Sequence, residues 1–337
     1  MKPYTEATKI NDIIKAANRI VIIQAENPDG DSLGSALALE HILGDLDKEP
    51  LMYCAVDMPT YLRYMSGWDR VSSEFPTDFD ASIIVDASTM TLFEHLRAPE
   101  QKRLAGKPCV VLDHHETVDH LVPFATVMVN DGGRASAGEL IYLLSKQLKW
   151  PLSPESGEYI CTSILGDTQG LTNQLATAET YRIMAELVEL GVDRPKLEEM
   201  RREYGKMQQE IFRYKSELIR RTEFALDGRL ACVTIPHNEI KQYSPLYNPA
   251  PLIQTDMLQT VGVEIAIVFK VYDDGKITAA IRCSPSAPIG ADLAGHFGGG
   301  GHKFASGFKI TGGRSFEDLK SECLRETEKL LSKKDEK

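Results

Sequence analysis

The chain has 337 residues, 42% of them hydrophobic, and a formal net charge of −11. That length and composition support a sizeable core and two domains, and the acidic balance argues against a protein that grips long duplex nucleic acid through counterion release. No apolar run approaches the roughly eighteen residues needed to span a membrane, and the opening MKPYTEATKI lacks a signal-peptide core, so the expected location is cytoplasmic, with no membrane partner.

The first informative stretch is 20–35, IVIIQAENPDGDSLGS. A run of β-branched residues ends at Asn27-Pro28-Asp29-Gly30, which is turn chemistry, and an apolar helical pattern over 36–46 follows at once. A strand that turns sharply into a helix places the turn at the carboxyl edge of a parallel sheet, where open α/β folds bind ligands. Strands are predicted at 51–56, 81–86, 109–112 and 126–129, with helices at 137–149, 155–165 and 178–190. This alternation is the βαβ rhythm of an α/β domain with a parallel sheet.

From 195 to 221 the chain is highly charged, with sparse apolar residues at helical spacing, which reads as an exposed linker helix. Strands at 230–235, 263–272, 277–283 and 306–310, a helix at 289–297 and a last charged helix from Ser315 indicate a smaller second α/β domain. Cys54, Cys109, Cys161, Cys232, Cys283 and Cys323 show no CxxC pairing and read as buried, reduced thiols.

The element ends carry the chemistry. Asp29 and Asp31, Asp86, the triplet Asp113-His114-His115, and Asp167 each follow an apolar run in a βα setting. Singly, each Asp reads as a turn former or helix cap. Together at one sheet edge they would repel one another unless cations lay between them. Carboxylates with imidazole and no thiolate suit Mn²⁺, with Mg²⁺ or Co²⁺ as alternatives. Two such ions about 3.5–4 Å apart would acidify a water and clamp a phosphoryl oxygen, which makes phosphoester hydrolysis the natural chemistry. The competing reading is a nucleotide-binding module whose acids only cap helices. The turn Gly298, Gly299, Gly300 and Gly301 before His302 offers amide donors at close approach to a phosphate.

PDGDSLGS (28–35), IIVDAS (83–88), VVLDHHET (110–117) and GDTQGLTN (166–173) resemble, in order and spacing, the four motifs of the DHH phosphoesterases. IRCS (281–284) and GGGGHKFASG (298–307) resemble the DHHA1 substrate-binding domain. The resemblance implies a DHH catalytic domain over 1–192, a linker helix over 193–224 and a DHHA1 domain over 225–337. The branch it resembles most cleaves very short oligoribonucleotides and dephosphorylates 3′-phosphoadenosine 5′-phosphate. A linear or cyclic dinucleotide phosphodiesterase is the enzymatic alternative. By resemblance Asp86 bridges two Mn²⁺ ions, Asp29 holds one, and Asp31, His114 and Asp167 hold the other. His115 acts at the phosphate and Asp113 orients the histidines. Arg282, the Gly298 to Gly301 turn and His302 hold the substrate, and a homodimer is a family option.

One position departs from the pattern. The family places a histidine four residues before the first motif Asp, and here that position is Ala25. The consequence is a weaker first ion, a single ion, or a nucleotide- or RNA-binding protein with a degenerate site. The retained ligands favour an active enzyme.

Overall fold

A computed structural model describes residues 3–115, 121–244, 246–301 and 303–335. The chain divides into two compact units, Met1–Lys206 and Met207–Lys337.

The first unit runs α1 (Ala7–Ala16), β1 (Arg19–Ile23), α2 (Gly30–Asp45), β2 (Glu49–Tyr53), β3 (Ala81–Val85), α3 (Ala98–Ala105), β4 (Cys109–Asp113), β5 (Val127–Asn130), α4 (Ala137–Leu148), α5 (Pro154–Asp167), α6 (Ala178–Leu190) and α7 (Arg194–Tyr204). Its five-stranded sheet has the order β2-β1-β3-β4-β5, and every pairing is parallel. The strands are short apolar runs because both faces are covered. Ile20 and Ile22 of β1 pack with Leu33, Leu140 and Ile160 of the helical layer, while Val21 and Ile23 pack with Phe79, Phe93 and Leu104. From β1 the chain steps outward to β2, then returns to place β3 on the other side of β1. That reversal opens a crevice at the carboxyl ends of β1 and β3, the position at which such sheets bind ligands.

Three helices close on this crevice because small residues let them. A Cβ at Gly34 of α2 would meet the Tyr159 carbonyl oxygen of α5 at 2.8 Å, and one at Gly138 of α4 would meet Ser163 Oγ of α5 at 2.2 Å. Backbone contact this close is open only to glycine.

The second unit runs α8 (Gln209–Arg220), β6 (Glu223–Ala225), β7 (Leu230–Pro236), α9 (His237–Tyr243), α10 (Pro249–Leu258), β8 (Ile265–Val271), β9 (Ile277–Cys283), α11 (Gly290–His296), β10 (Gly300–Gly301), β11 (Ala305–Ile310) and α12 (Phe316–Asp335). Its sheet order is β10-β11-β9-β8-β7-β6, antiparallel throughout except for β7 beside β8. One face packs on α11 and α12 and the other on α8, α9 and α10.

The α/β class and the parallel first sheet are as the sequence indicates. The stretch 193–224 holds two helices rather than one, with α7 in the first unit and α8 in the second. Gly205 caps α7, after Arg201 and Arg202 in its last turn, and the chain does not resume a helix until Gln209. All six cysteines are free and buried. Among the described residues, no helix is long and apolar enough to cross a membrane.

Candidate metal centre

The sequence of the β1–α2 turn determines how its two acids are used. Asp29 is the N-cap of α2, and its Oδ1 accepts from the N–H groups of Asp31 and Ser32, both at 3.0 Å, while the Ser32 hydroxyl accepts from the Asp29 N–H. This reciprocal box fixes the start of the helix. Asp31, in the first turn of α2, is fully buried. Its Oδ2 accepts from Ala137 N–H at 2.8 Å, and its Oδ1 accepts from Ser163 Oγ at 2.6 Å, Ser35 Oγ at 3.0 Å and Gly138 N–H at 3.3 Å. The N-terminus of α4 therefore points at this carboxylate, and aligned peptide dipoles favour negative charge there.

Asp86 follows β3 directly and holds a left-handed backbone, φ +58°. A non-glycine residue in that region costs of order 1–3 kcal/mol and persists only where its surroundings impose it. His114 follows β4. Its Nδ1 lies 3.3 Å from the Arg134 carbonyl oxygen, which fixes the proton on Nδ1 and leaves Nε2 to meet the acids. Nε2 is 3.0 Å from Asp167 Oδ2, 3.2 Å from Asp31 Oδ2 and 3.5 Å from Asp86 Oδ1. Asp167 is the last residue of α5.

Among the described residues, His114 Nε2 and Asp86 Oδ1 are buried and neither makes a directional hydrogen bond. Two groupings suited to an ion share this imidazole: Asp31, His114 and Asp167, and Asp86, His114 and His115. Asp29 belongs to neither.

The electrostatics ask for a cation. Two carboxylates about 4 Å apart repel by about 4 kcal/mol at an effective dielectric constant near 20. Burial, then the charge of Asp31, lifts the Asp86 carboxyl well above the usual range. The same two causes push Asp167 up to about 6. Burial also favours protonation of Asp31, but the His114 contact, Ser163 and the Ala137 N–H outweigh it and hold this carboxyl well below its ordinary value. Burial would discharge His114, yet Asp167, Asp31 and Asp86 around Nε2 keep it protonated far above the usual imidazole range. Three oxygens and one nitrogen, two of these atoms otherwise orphaned, fit a hard or borderline divalent cation.

Asp113 is a bracket for the second histidine. Its Oδ1 accepts from the His114 and His115 N–H groups at 2.8 and 3.2 Å and contacts His115 Nδ1 at 2.8 Å. That contact raises the His115 pKa. Ala25 is buried in the apolar cluster with Tyr53, Phe93 and Leu96. Its carbonyl oxygen lies 3.2 Å from Cys54 Sγ.

In the second unit Arg282 lies on β9 and is exposed, in register with Ala305 of β11. Gly301 pairs with Ser306 on the same strand. Arg282 and the glycine turn therefore share one end of this sheet. Gly298 (φ +73°) and Gly301 (φ +128°) hold left-handed backbones, and a Cβ at Gly299 would meet the Gly307 carbonyl oxygen at 2.2 Å. His302 lies outside the described residues.

The serine and glycine seating of Asp31 has no counterpart in the sequence analysis. Ser163 is 132 residues from Asp31 along the chain, and Ala137 is 106 residues away. The one available signal was the alternation of small residues in ASAG (135–138) ahead of an apolar helix.

Residues 19–164 match the model of the DHH family, N-terminal domain. Along most of its length the chain is similar to the bifunctional oligoribonuclease and PAP phosphatase NrnA of Bacillus subtilis, at 23% identity over 323 residues, 94% of this chain and 98% of that protein. An uncharacterized protein of Mycoplasma pneumoniae is 28% identical over 304 residues, 87% of this chain and 86% of the relative. An exopolyphosphatase-related protein from Bacteroides fragilis has the same fold, with a TM-score of 0.86, 22% identity and 97% of both chains covered.

Proposed function

We propose that the chain is a divalent-cation-dependent phosphoesterase acting on short oligoribonucleotides, on 3′-phosphoadenosine 5′-phosphate, or on both. The observation that carries the reading is the convergence of Asp31, Asp86 and Asp167 on His114 Nε2 within 3.0–3.5 Å, at the switch point of a parallel sheet. The substrate class is supported by the similarity to the Bacillus subtilis protein along nearly its whole length.

Asp31, Asp86, His114 and Asp167 would hold a cation, with Mn²⁺ the ion best matched to carboxylate and imidazole donors and Mg²⁺ or Co²⁺ as substitutes. Asp29 is a candidate ligand for a second ion alongside its capping role. A bound cation supplies positive charge to the phosphoryl oxygens and acidifies water. Asp113 holds His115 through Nδ1, so His115 exchanges its proton at Nε2 and is placed to steady the developing charge or protonate the leaving oxygen. Arg282 and the turn Gly298, Gly299, Gly300 and Gly301 are the proposed substrate-binding groups of the second unit.

The test adds Mn²⁺ to the full chain with a diribonucleotide, a nucleoside bisphosphate and a cyclic dinucleotide side by side, and follows mononucleotide and phosphate release. Asp86→Ala and His114→Ala are each expected to abolish release and also the Mn²⁺-induced rise in melting temperature. Full activity in both variants refutes the assignment. A second reading, nucleotide binding without turnover, draws on Ala25, which offers no ligand atom; binding with no product at any Mn²⁺ concentration would establish it.

A further inference from the structure

Single exposed aromatic side chains are ordinary on protein surfaces, and several occur here. Tyr61 and Tyr181 are each anchored through the hydroxyl to a backbone carbonyl oxygen, and the anchor of Tyr61 adjoins the turn that carries Asp29 and Asp31. Tyr61 sits on a short 3₁₀ turn, Thr60–Leu62, rooted by Leu62 and Met58, which are 2% and 4% exposed, while Tyr61 itself is 56% exposed. Its hydroxyl donates to the Pro28 carbonyl oxygen at 3.1 Å. Pro28 immediately precedes Asp29 in the turn that carries two of the acids. The ring is therefore fixed beside the proposed metal centre with much of its surface presented to solvent.

A chain of net charge −11 has little to offer a nucleotide through long-range attraction. A nucleobase has a polarisable, uncharged face, and stacking on an aromatic ring is insensitive to that acidic field. We infer that Tyr61 is a stacking platform for one nucleobase of the substrate, held in place by its hydrogen bond to Pro28. The inference rests on the nucleotide-substrate reading above and makes Tyr61 a positioning residue rather than a catalytic one.

The experiment compares a diribonucleotide with its doubly abasic analogue on the full chain. Tyr61→Ala is expected to raise KM for the diribonucleotide by about 5- to 150-fold, the range of base–aromatic stacking, with KM for the abasic analogue and kcat for both unchanged. Tyr61→Phe keeps the ring but loses the bond to Pro28 and is expected to raise KM for the diribonucleotide much less than Tyr61→Ala does. A second readout needs no turnover: a 2-aminopurine dinucleotide mixed with metal-free protein is expected to lose fluorescence on stacking, and Tyr61→Ala to abolish the quench. Unchanged KM and quench in Tyr61→Ala overturn the inference. So does an equal loss on both substrates, or Tyr61→Phe falling with Tyr61→Ala, because either places the effect in the Pro28–Asp29 turn. Quenching that depends on Tyr61 in a protein without hydrolytic activity would uphold the stacking and refute the phosphoesterase reading instead.

Discussion

Gly138→Ala tests the seating of Asp31 most directly. Gly138 is the second residue of α4, and its N–H groups with Ala137 face the Asp31 carboxylate. On helix propensity alone alanine would gain up to about 1 kcal/mol over glycine. The added Cβ, however, would lie 2.2 Å from Ser163 Oγ and 2.6 Å from Ser163 Cβ, so α4 or Ser163 must move. Overpacking of this kind costs about 1–3 kcal/mol. Moving Ser163 also weakens its 2.6 Å hydrogen bond to Asp31, a charged-acceptor bond worth about 1.5–3 kcal/mol. After the propensity gain, the expected loss is about 1–4 kcal/mol of first-unit stability by urea unfolding of metal-free protein, together with weaker Mn²⁺ binding by calorimetry. Ser163→Gly removes both clashing atoms, so the double variant should be less destabilised than the sum of the singles, by at least about 0.5 kcal/mol. Equal or higher stability of Gly138→Ala, with additive behaviour in the double variant, would refute the reasoning.

Two further outcomes can be checked. Ala25→His puts an imidazole into a buried apolar site and is expected to lower metal-free stability by about 1–3 kcal/mol while enlarging the Mn²⁺-dependent rise in melting temperature; no enlargement would remove position 25 from the metal centre. Glu198 accepts from Arg201 Nε at 2.9 Å and Nη2 at 2.8 Å, and from Arg202 Nε at 2.7 Å, contacts that hold its carboxyl down at about 2. Because the folded pKa is depressed, the stabilisation is present above the unfolded value of 4.5 and is lost as pH falls toward 2. Screened at the surface it amounts to about 0.2–1 kcal/mol. The stability gap between wild type and Glu198→Gln should therefore shrink steadily below pH 4.5, and a gap that widens on acidification would contradict the pairing.

The sequence was most legible where structure is local. The strand 20–23, its turn and its helix follow from β-branching, Asn-Pro-Asp-Gly and an apolar period, and the acids at the ends of β1, β3 and β4 follow from the rhythm of the parallel sheet. Elements whose cues pointed two ways were missed. α10 begins at Pro249, where proline opens a helix instead of breaking one. The boundary at 205–208 lay in Gly205 after two arginines, a helix-end signal overlooked within a charged run. The bonds to Asp31 from α4 and α5 were beyond any local pattern, because they depend on how closely three helices pack.

That packing gives Asp31 a second identity. Four donors converge on its two oxygens. The conservative replacement, asparagine, would turn its NH₂ toward the N–H of either Ala137 or Gly138, neither of which can accept from it. Asp31→Asn is thus a lesion to the junction of α2, α4 and α5 as much as to a ligand set, and loss of activity in it says nothing about the metal alone. Asp167, at the end of α5 and with its side chain 22% exposed, is where a charge-neutralising change isolates chemistry from architecture.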